Sequence, residues 1–551
     1  MEFLGKVLNF SRYSEQQMER TKNDLGLSMP VAFLTHCANF YRNHAKRDPY
    51  IEELKMLDGF AAATQKSPLS LTPRELYTND KPVADTYGDM MRKRSVLNPH
   101  ANTPITAKEA AALADGYLAR VGKQLPVMTV TPFVEADPVN TESIFRIRFF
   151  EFCKEAPKKD DLFALLLPSA QESDTAFCDL LMNKDFTSRV KSIQKISCGG
   201  VLSALLRECD GFRIELSRFF TTDAPTDLSA LVNGYHGAYL VRIPREYEKE
   251  VFYTAQNAGV LARIFGTAEK GNRMTLQNAQ QTLLWLDTAF LRTLAALRAF
   301  SAKLRNEKDG RLTPPIRSAS VGVTDSLCAS EVTCHPQDAF FTNAFYTALL
   351  AVIHQSLAGC GYAEQKLSVG LGFPAKRNDL YQHDCFSALI GLYRLQAELG
   401  LPSSEPLLIY DEKISAPTLS VFSFGTGSPL PNRPQANGSF VYLLTVDEAK
   451  DQLPDFDALR GLLDRLCELR KDGNLLSAYT VQGEESLTAL QAFMSGEYLC
   501  SVEDRSLKDL PGAPILIFVE SSTPLENAHF IGTTFQKDVD SDDFLGQMEK
   551  N

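Results

Sequence analysis

The sequence predicts an α/β protein built around a duplicated module, and two observations carry that expectation. Strand-like and helix-like periodicities alternate along the whole chain instead of segregating into separate blocks. There is also an internal repeat. Residues 199–216 read GGVLSALLRECDGFRIEL and are followed by GAYLVRI from Gly237 and RIFGTA from Arg263. Residues 483–502 read GEESLTALQAFMSGEYLCSV and are followed by GAPILIFVE from Gly512 and HFIGTT from His529. Each copy has a glycine turn into a helix, a glycine exit into a strand, a Gly-Ala-led strand and a Gly-Thr strand end. Duplication is the economical explanation; two unrelated α/β segments sharing turn residues is the competing one.

Taken along the chain, the first informative stretch is KRDPYIEELKMLDGFAAATQKSPLSL, residues 46–71. A charged turn leads into the amphipathic run IEELKMLDGF, which should dock on a core. The AAATQKSPLS that follows offers only Lys66 as an ionisable group. Helices are expected at 106–121, 345–358, 379–399 and 456–471, and strands at 237–243, 260–268, 418–424, 439–446 and 513–520. The 456–471 helix starts after Pro454-Asp455, a capping pair, and stops at Asp472-Gly473. The Pro-, Gly- and Asn-rich stretches 306–315 and 425–438 read as connectors.

At 551 residues the chain has room for three or four domains. It is 44% hydrophobic and 23% charged, as expected of a globular protein. Every apolar run is interrupted before the roughly 18 residues a membrane span requires. MEFLGKVLNFSRYSEQQ has no apolar h-region, so no signal peptide is expected. The eleven cysteines show no CxxC or Cys/His ligand spacing, which fits reduced thiols in a cytoplasm. In that setting Asn437-Gly438-Ser439 reads as a turn. A net charge of −11 and no basic cluster with interleaved aromatics exclude a generic nucleic-acid binder.

Several residues invite a chemical reading. Gly199 and Gly200 open a helix after a strand, and free N–H groups there could bind an anion; a tight turn kept by the fold is the plainer explanation. Gly370 and Gly372 in SVGLGF lack the dinucleotide fingerprint. His335 and His383 have suggestive neighbours; His383 with Asp384 at a helix start could be a site remnant, although a capping or surface role is the plainer reading. His354 lies on an apolar helix, as a satisfied, buried or half-buried histidine would. Asp411-Glu412 and Lys158-Lys159-Asp160-Asp161 read as solvated turns.

At these residues a family resemblance emerges. LSMPVAFLTHCANFYRNHAKRDPYIEELKMLDGF, residues 27–60, resembles the linker domain of phosphoribosylformylglycinamidine (FGAM) synthase, the ATP-dependent amidotransferase of purine synthesis. VKSIQKISCGGVLSALLRECDGFRIELSRFF, residues 190–220, resembles the start of its first C-terminal synthetase subdomain. HPQDAFFTNAFYTALLAVIHQSLAGCG, QKLSVGLGF, QHDCFSALIGLYRLQAELGLP and SAPTLSVFSFGTG, within residues 335–427, resemble the second synthetase half. NLLSAYTVQGEESLTALQAFMSGEY resembles the final subdomain. The resemblance implies duplicated AIR-synthetase-like (PurM-like) modules behind a linker domain. The corresponding segments are a linker-like region at 1–105, a truncated first N-subdomain at 106–175 and the first C-subdomain at 176–275. A shortened second N-subdomain at 276–430 and the second C-subdomain at 431–551 complete the chain.

The departures from the family pattern bear on function. After its Leu-Asp the family linker continues near T-Y-W-S-D-H-C-R-H-T-T-F, whose histidines serve the active site. Here the two histidine positions fall on Thr64 and Ser67, and the preceding acid falls on Ala63. Hydroxyl side chains lack the near-neutral pKa of an imidazole, and losing such a general acid–base group costs on the order of 10²–10⁴ in rate. The H-N-H-P segment has FFEFCKEAP, residues 149–157, as its nearest counterpart, with Lys154 and Ala156 at the histidine positions. The Gly-rich stretch after it is missing, as is the second half's I-G-G-K-D-S-M-S. No glutaminase domain is recognisable up to Asn551.

The family uses ATP and Mg²⁺, and the expectation here is that both sites are lost, leaving no catalytic or metal-ligating residues and only Gly199 and Gly200 as an anion-binding candidate. The expected function is that of a cytoplasmic pseudoenzyme that binds a protein partner from the purine pathway, with no nucleic acid or membrane involved. A residual ammonia-using FGAM synthetase and a nucleotide or ribotide sensor are the alternatives.

Overall fold

The computed structural model describes residues 5–66, 72–78, 80–97, 99, 105, 107–121, 131–136, 145–153, 157–168, 177, 180–181, 183–196, 199–220, 228–235, 237–279, 281–295, 299–303, 312–322, 327–374, 378–403, 406–411, 414–449, 452–483, 486–502 and 513–536. Two compact units divide the chain. The first comprises Met1–Thr72, Val127–Phe133 and Arg148–Phe300; the second comprises Pro73–Pro126, Val134–Ile147 and Ser301–Asn551.

In the first unit local signals set the helices. Glu15–Leu25 begins at a reciprocal cap between Ser14 and Gln17 and stops at Gly26, whose φ of 65° needs no Cβ. The amphipathic run IEELKMLDGF is helical, and the helix continues through the alanines to span Ile51–Lys66. It buries Leu54, Met56, Leu57, Phe60 and Ala61 in a core shared with Val31–Phe40 and the residues around Gly199. Two polar anchors hold this region. Asp58 accepts from the backbone N–H of Ser28 and Met29, at 2.9 and 2.6 Å, just ahead of the Val31–Phe40 helix. Arg47 lays its guanidinium along the carboxylate of Glu53, which is buried, and donates to the Trp285 carbonyl at 3.1 Å.

A nine-stranded sheet follows. Its order is Gln281–Asp287, Arg273–Asn278, Phe212–Glu215, Val260–Ala268, Leu162–Pro168, Tyr239–Ile243, Ser192–Lys195, Phe145–Cys153 and Thr131–Ala136. The central strand Leu162–Pro168 is covered on both faces. Phe163 and Leu165 enter the core with the Ile51–Lys66 helix. Leu162, Ala164 and Leu166 enter a second core with Phe186, Val251 and Ala255. A continuous apolar run such as LFALLL is what a doubly covered strand requires.

The second unit contains two five-stranded sheets. One runs Arg317–Gly322, Leu327–Cys334, Thr418–Thr426, Lys366–Pro374 and Leu407–Asp411. It packs against Phe340–Leu357, a helix buried on nearly every face because it also meets the Phe456–Lys471 helix and the strand Leu475–Gln482. Asn378–Leu399 packs alongside it. The other sheet runs Leu475–Gln482, Ile515–Ser521, Phe440–Val446, His529–Gln536 and Tyr498–Val502.

The repeat is a repeat of topology. Within the nine-stranded sheet, Phe212–Glu215, Val260–Ala268, Leu162–Pro168, Tyr239–Ile243 and Ser192–Lys195 lie in one order. Tyr498–Val502, His529–Gln536, Phe440–Val446, Ile515–Ser521 and Leu475–Gln482 lie in the same order, with the same chain sequence and all pairs antiparallel. Both copies carry a β-bulge at the same place, at Phe163/Ala164 and at Val441/Tyr442. The residues squeezed out of the two ladders, Phe265 and Ile531, are fully buried, and each is followed by the glycine of the Gly-Thr motif. A Cβ on Gly266 would lie 2.6 Å from the Arg213 carbonyl oxygen, and one on Gly532 would fall on the Ser501 carbonyl. The motif is therefore a close approach of neighbouring strands beside a bulge.

Candidate functional site

Gly199 and Gly200, the anion-binding candidates, lie in the first unit, with Gly199 beside Phe60 of the Ile51–Lys66 helix. Gly199, with φ 83°, precedes the Gly200–Glu208 helix, and Gly200 has φ 60°. Both are buried. A Cβ on Gly200 would collide with the Val232 carbonyl, and one on Gly199 would lie 2.7 Å from Cβ of Ser203 and 3.8 Å from the Phe60 ring. Asn233 approaches Gly59 of the Ile51–Lys66 helix, 3.6 Å from where a Cβ would stand. The glycines are thus required by left-handed backbone and by close packing under the 230–233 turn. The Gly200–Glu208 helix starts with no side-chain cap.

Thr64 lies in the last turn of the Ile51–Lys66 helix. Ser67, Lys154 and Ala156, the other positions that the resemblance aligns with histidines, lie outside the described residues. Asp58 is committed to the backbone N–H groups of Ser28 and Met29, ahead of the Val31–Phe40 helix. His36, a histidine of the same core region, stacks on Phe290 with centroids 5.6 Å apart, and burial lowers its pKa.

The far end of the glycine-opened helix is pinned by a charge network that sequence reasoning missed. Arg242 is fully buried and donates to Asp161 at 2.8 Å and to Glu208 at 2.5 Å. Glu208 also accepts from Ser192 at 2.6 Å and from Gln194. Asp161 is buried and accepts from the Lys158 N–H, whereas Lys158, Lys159 and Asp160 are exposed. The one available signal was position: Asp161 immediately precedes the apolar run of a central strand.

In the second unit His335 and His354 are hydrogen-bonded within the fold. His335 meets the Thr418 hydroxyl at 3.0 Å and the Pro417 carbonyl at 3.2 Å. His354 is hydrogen-bonded to Ser318, Ser320 and Thr480, and burial pushes its pKa down to about 4. His383 is half-buried and Asp384 buried inside the Asn378–Leu399 helix. Gly370 and Gly372 are ladder residues of Lys366–Pro374, opposite Ser420 and Thr418. Asp411 ends the strand Leu407–Asp411, and Glu412 lies outside the described residues. The fully buried Glu520 accepts from the N–H groups of Gln435 and Ala436 and from the hydroxyls of Ser439 and Ser477, all within 2.9 Å.

These engagements bear on the Mg²⁺ that the resemblance implies. Among the described residues no three of His, Cys, Asp and Glu converge as a metal shell, and the buried carboxylates Asp161, Glu208 and Glu520 already have donors around them. The described donor set does not fit a divalent cation. The eight cysteines whose side chains are described are buried. Burial pushes the thiols of Cys37 and Cys334 up to about 12, away from nucleophilic use. No described helix is long and apolar enough to cross a membrane.

By sequence, the chain matches no family profile and no curated protein. By structure, 90% of it superposes on 99% of Thermotoga maritima phosphoribosylformylglycinamidine synthase II, with a TM-score of 0.51 at 12% identity. The fold is that of FGAM synthase II. The same enzyme complexed with AMPPCP gives a TM-score of 0.52 at 12% identity, and complexed with ADP 0.51 at 13%, with the same coverage.

Proposed function

We propose that this chain is a non-catalytic, cytoplasmic derivative of the FGAM synthase scaffold that acts by binding a protein of the purine pathway. One observation carries the reading. The fold persists over nine-tenths of the chain, yet the last turn of the Ile51–Lys66 helix carries Thr64 at a position where the resemblance expects a histidine. A hydroxyl there cannot shuttle protons near neutrality. The engagement of Asp58, Asp161, Glu208 and Glu520 in structural roles points the same way, because phosphoryl transfer needs carboxylates free to hold Mg²⁺.

The test is a thermal-shift screen with ATP, ADP, AMPPCP, Mg²⁺, formylglycinamide ribotide and inorganic phosphate, paired with phosphate release in the presence of ammonia. No shift and no release are expected. A shift without release would make the chain a nucleotide or ribotide sensor. A shift with inorganic phosphate alone would direct attention to the Gly199–Gly200 turn as an anion site. Phosphate release with ammonia would overturn the reading in favour of a residual synthetase.

A further inference from the structure

The two copies of the five-stranded unit differ at one edge. In the first, Leu162–Pro168 is paired along its whole length by Val260–Ala268, from Leu162↔Thr267 to Pro168↔Val260. In the second, the corresponding side of Phe440–Val446 is paired only from Phe440↔Thr533 to Leu443↔His529. Its other side is paired all the way to Val446↔Ile515. Aligning the two bulges places Leu444, Thr445 and Val446 where Leu166, Leu167 and Pro168 stand in the first copy, so among the described residues three residues of ladder have no neighbouring strand on that side. The residues that would continue it, Glu526 to Ala528, turn away instead. Asn527 has φ 52°, and Arg465 on the Phe456–Lys471 helix donates to its carbonyl at 3.0 Å and to that of Glu526.

A groove of about 780 Å³ lies along the open ladder. The helix side presents the small or apolar residues Ala458, Gly461 and Leu462, which allow a backbone to come close. Its rim carries Asp447, Glu448 and Asp455, all exposed. The arginine among its lining residues is Arg465, whose guanidinium is already occupied by carbonyls. An open strand edge offers unpaired N–H and C=O groups, and added-strand recognition combines such a ladder with side-chain pockets.

We propose that an extended segment of a partner protein adds as an antiparallel strand to 444–446. It would carry Lys or Arg toward Asp447, Glu448 and Asp455, and a small apolar side chain toward Ala458 and Leu462. The proposal rests on the binding reading above and specifies the chemistry of the partner.

The probe is the labelled hexapeptide acetyl-Lys-Val-Lys-Val-Lys-Val-amide, titrated against the full chain by fluorescence anisotropy. Its comparators are the Glu-Val counterpart and Lys-Val peptides N-methylated at alternate amides in either register. Saturable binding is expected for the Lys-Val peptide. Affinity should be about ten-fold weaker or worse for the Glu-Val peptide and for one methylated register. Amides at 444–446 should gain hydrogen-exchange protection on binding. Ala458→Arg sits on an exposed helix surface; it should keep the wild-type melting temperature and weaken binding about ten-fold. Asp447→Lys with Glu448→Lys should reverse the preference between the two peptides. No binding at about 1 mM, unchanged protection at 444–446, or unchanged affinity in Ala458→Arg would each overturn the proposal. Concentration-dependent self-association that protects 444–446 in the free chain would also overturn it, assigning the edge to a second copy. Phosphate release decides the non-catalytic reading independently, so the two failures are distinguishable.

Discussion

Arg242 is a fully buried cation of the first unit held between two acids. A buried guanidinium between Asp161 and Glu208 adds little net stability over an apolar core, but removing one partner leaves charge uncompensated. Arg242→Met should lower the unfolding free energy by about 3–5 kcal/mol, read as a reduced urea midpoint, and adding Glu208→Gln should recover part of the loss. Two titrating groups of the second unit give opposite pH slopes. Burial raises Asp115 to about 6, against the hydrogen bond from the Ser403 N–H and the charge of Lys366. The folded state then holds that proton more tightly than the unfolded chain does. Its contribution to stability falls as pH rises from 3.8 to about 6 and is level above. His354 is lowered from 6.5 to about 4 by burial, so the unfolded chain takes the proton first and stability falls as pH drops through that window. Asp115→Asn should raise the melting temperature at pH 8 and leave it unchanged at pH 3. His354→Gln should flatten the loss between pH 6.5 and 4. Melting curves across pH 3–8 check both.

At the scale of elements, the paired bulges are the feature most exposed to mutation. Gly266→Ala and Gly532→Ala each push a methyl group into the neighbouring strand's backbone, and overpacking of this kind costs about 1–3 kcal/mol. Both variants should lose stability by denaturant titration. The loss of amide protection should centre on Phe212–Glu215 in one and Tyr498–Val502 in the other. Boundaries of the regular elements were largely legible from sequence. The 456–471 helix is as expected because Asp455 caps it and Asp472-Gly473 ends it, and 260–268 is a strand throughout. The Phe340–Leu357 helix begins earlier than its expected start at 345. Its first turn has no side-chain cap to mark it, and burial on nearly every face erases the amphipathic stripe that periodicity detects.

For the whole molecule, the decisive experiment is restoration. Thr64→His combined with Ser67→His should produce no phosphate release with ATP, Mg²⁺, formylglycinamide ribotide and ammonia, because an imidazole alone supplies neither phosphate cradle nor metal ligands. Measurable release would show that the rest of the site survives. The ordered resemblance along the sequence anticipated the scaffold that superposition shows over 90% of the chain. The charge network that ties that scaffold together was not legible, since Arg242 lies 34 and 81 residues from its two acids.

By itself the sequence determined the alternation of helices and strands, the duplication and the absence of histidine at 64 and 67. These are properties of local period, turn residues and residue identity. Only the tertiary structure decided that Gly200 and Gly266 are dictated by neighbouring backbone, that Asp161 is buried, and that the ladder beside 444–446 stays open. Each depends on which distant strand arrives alongside and how far it runs. For the open edge that is set by Arg465 holding the Asn527 turn away from the sheet, a contact between residues whose separate sequence contexts predict only a surface helix and a loop.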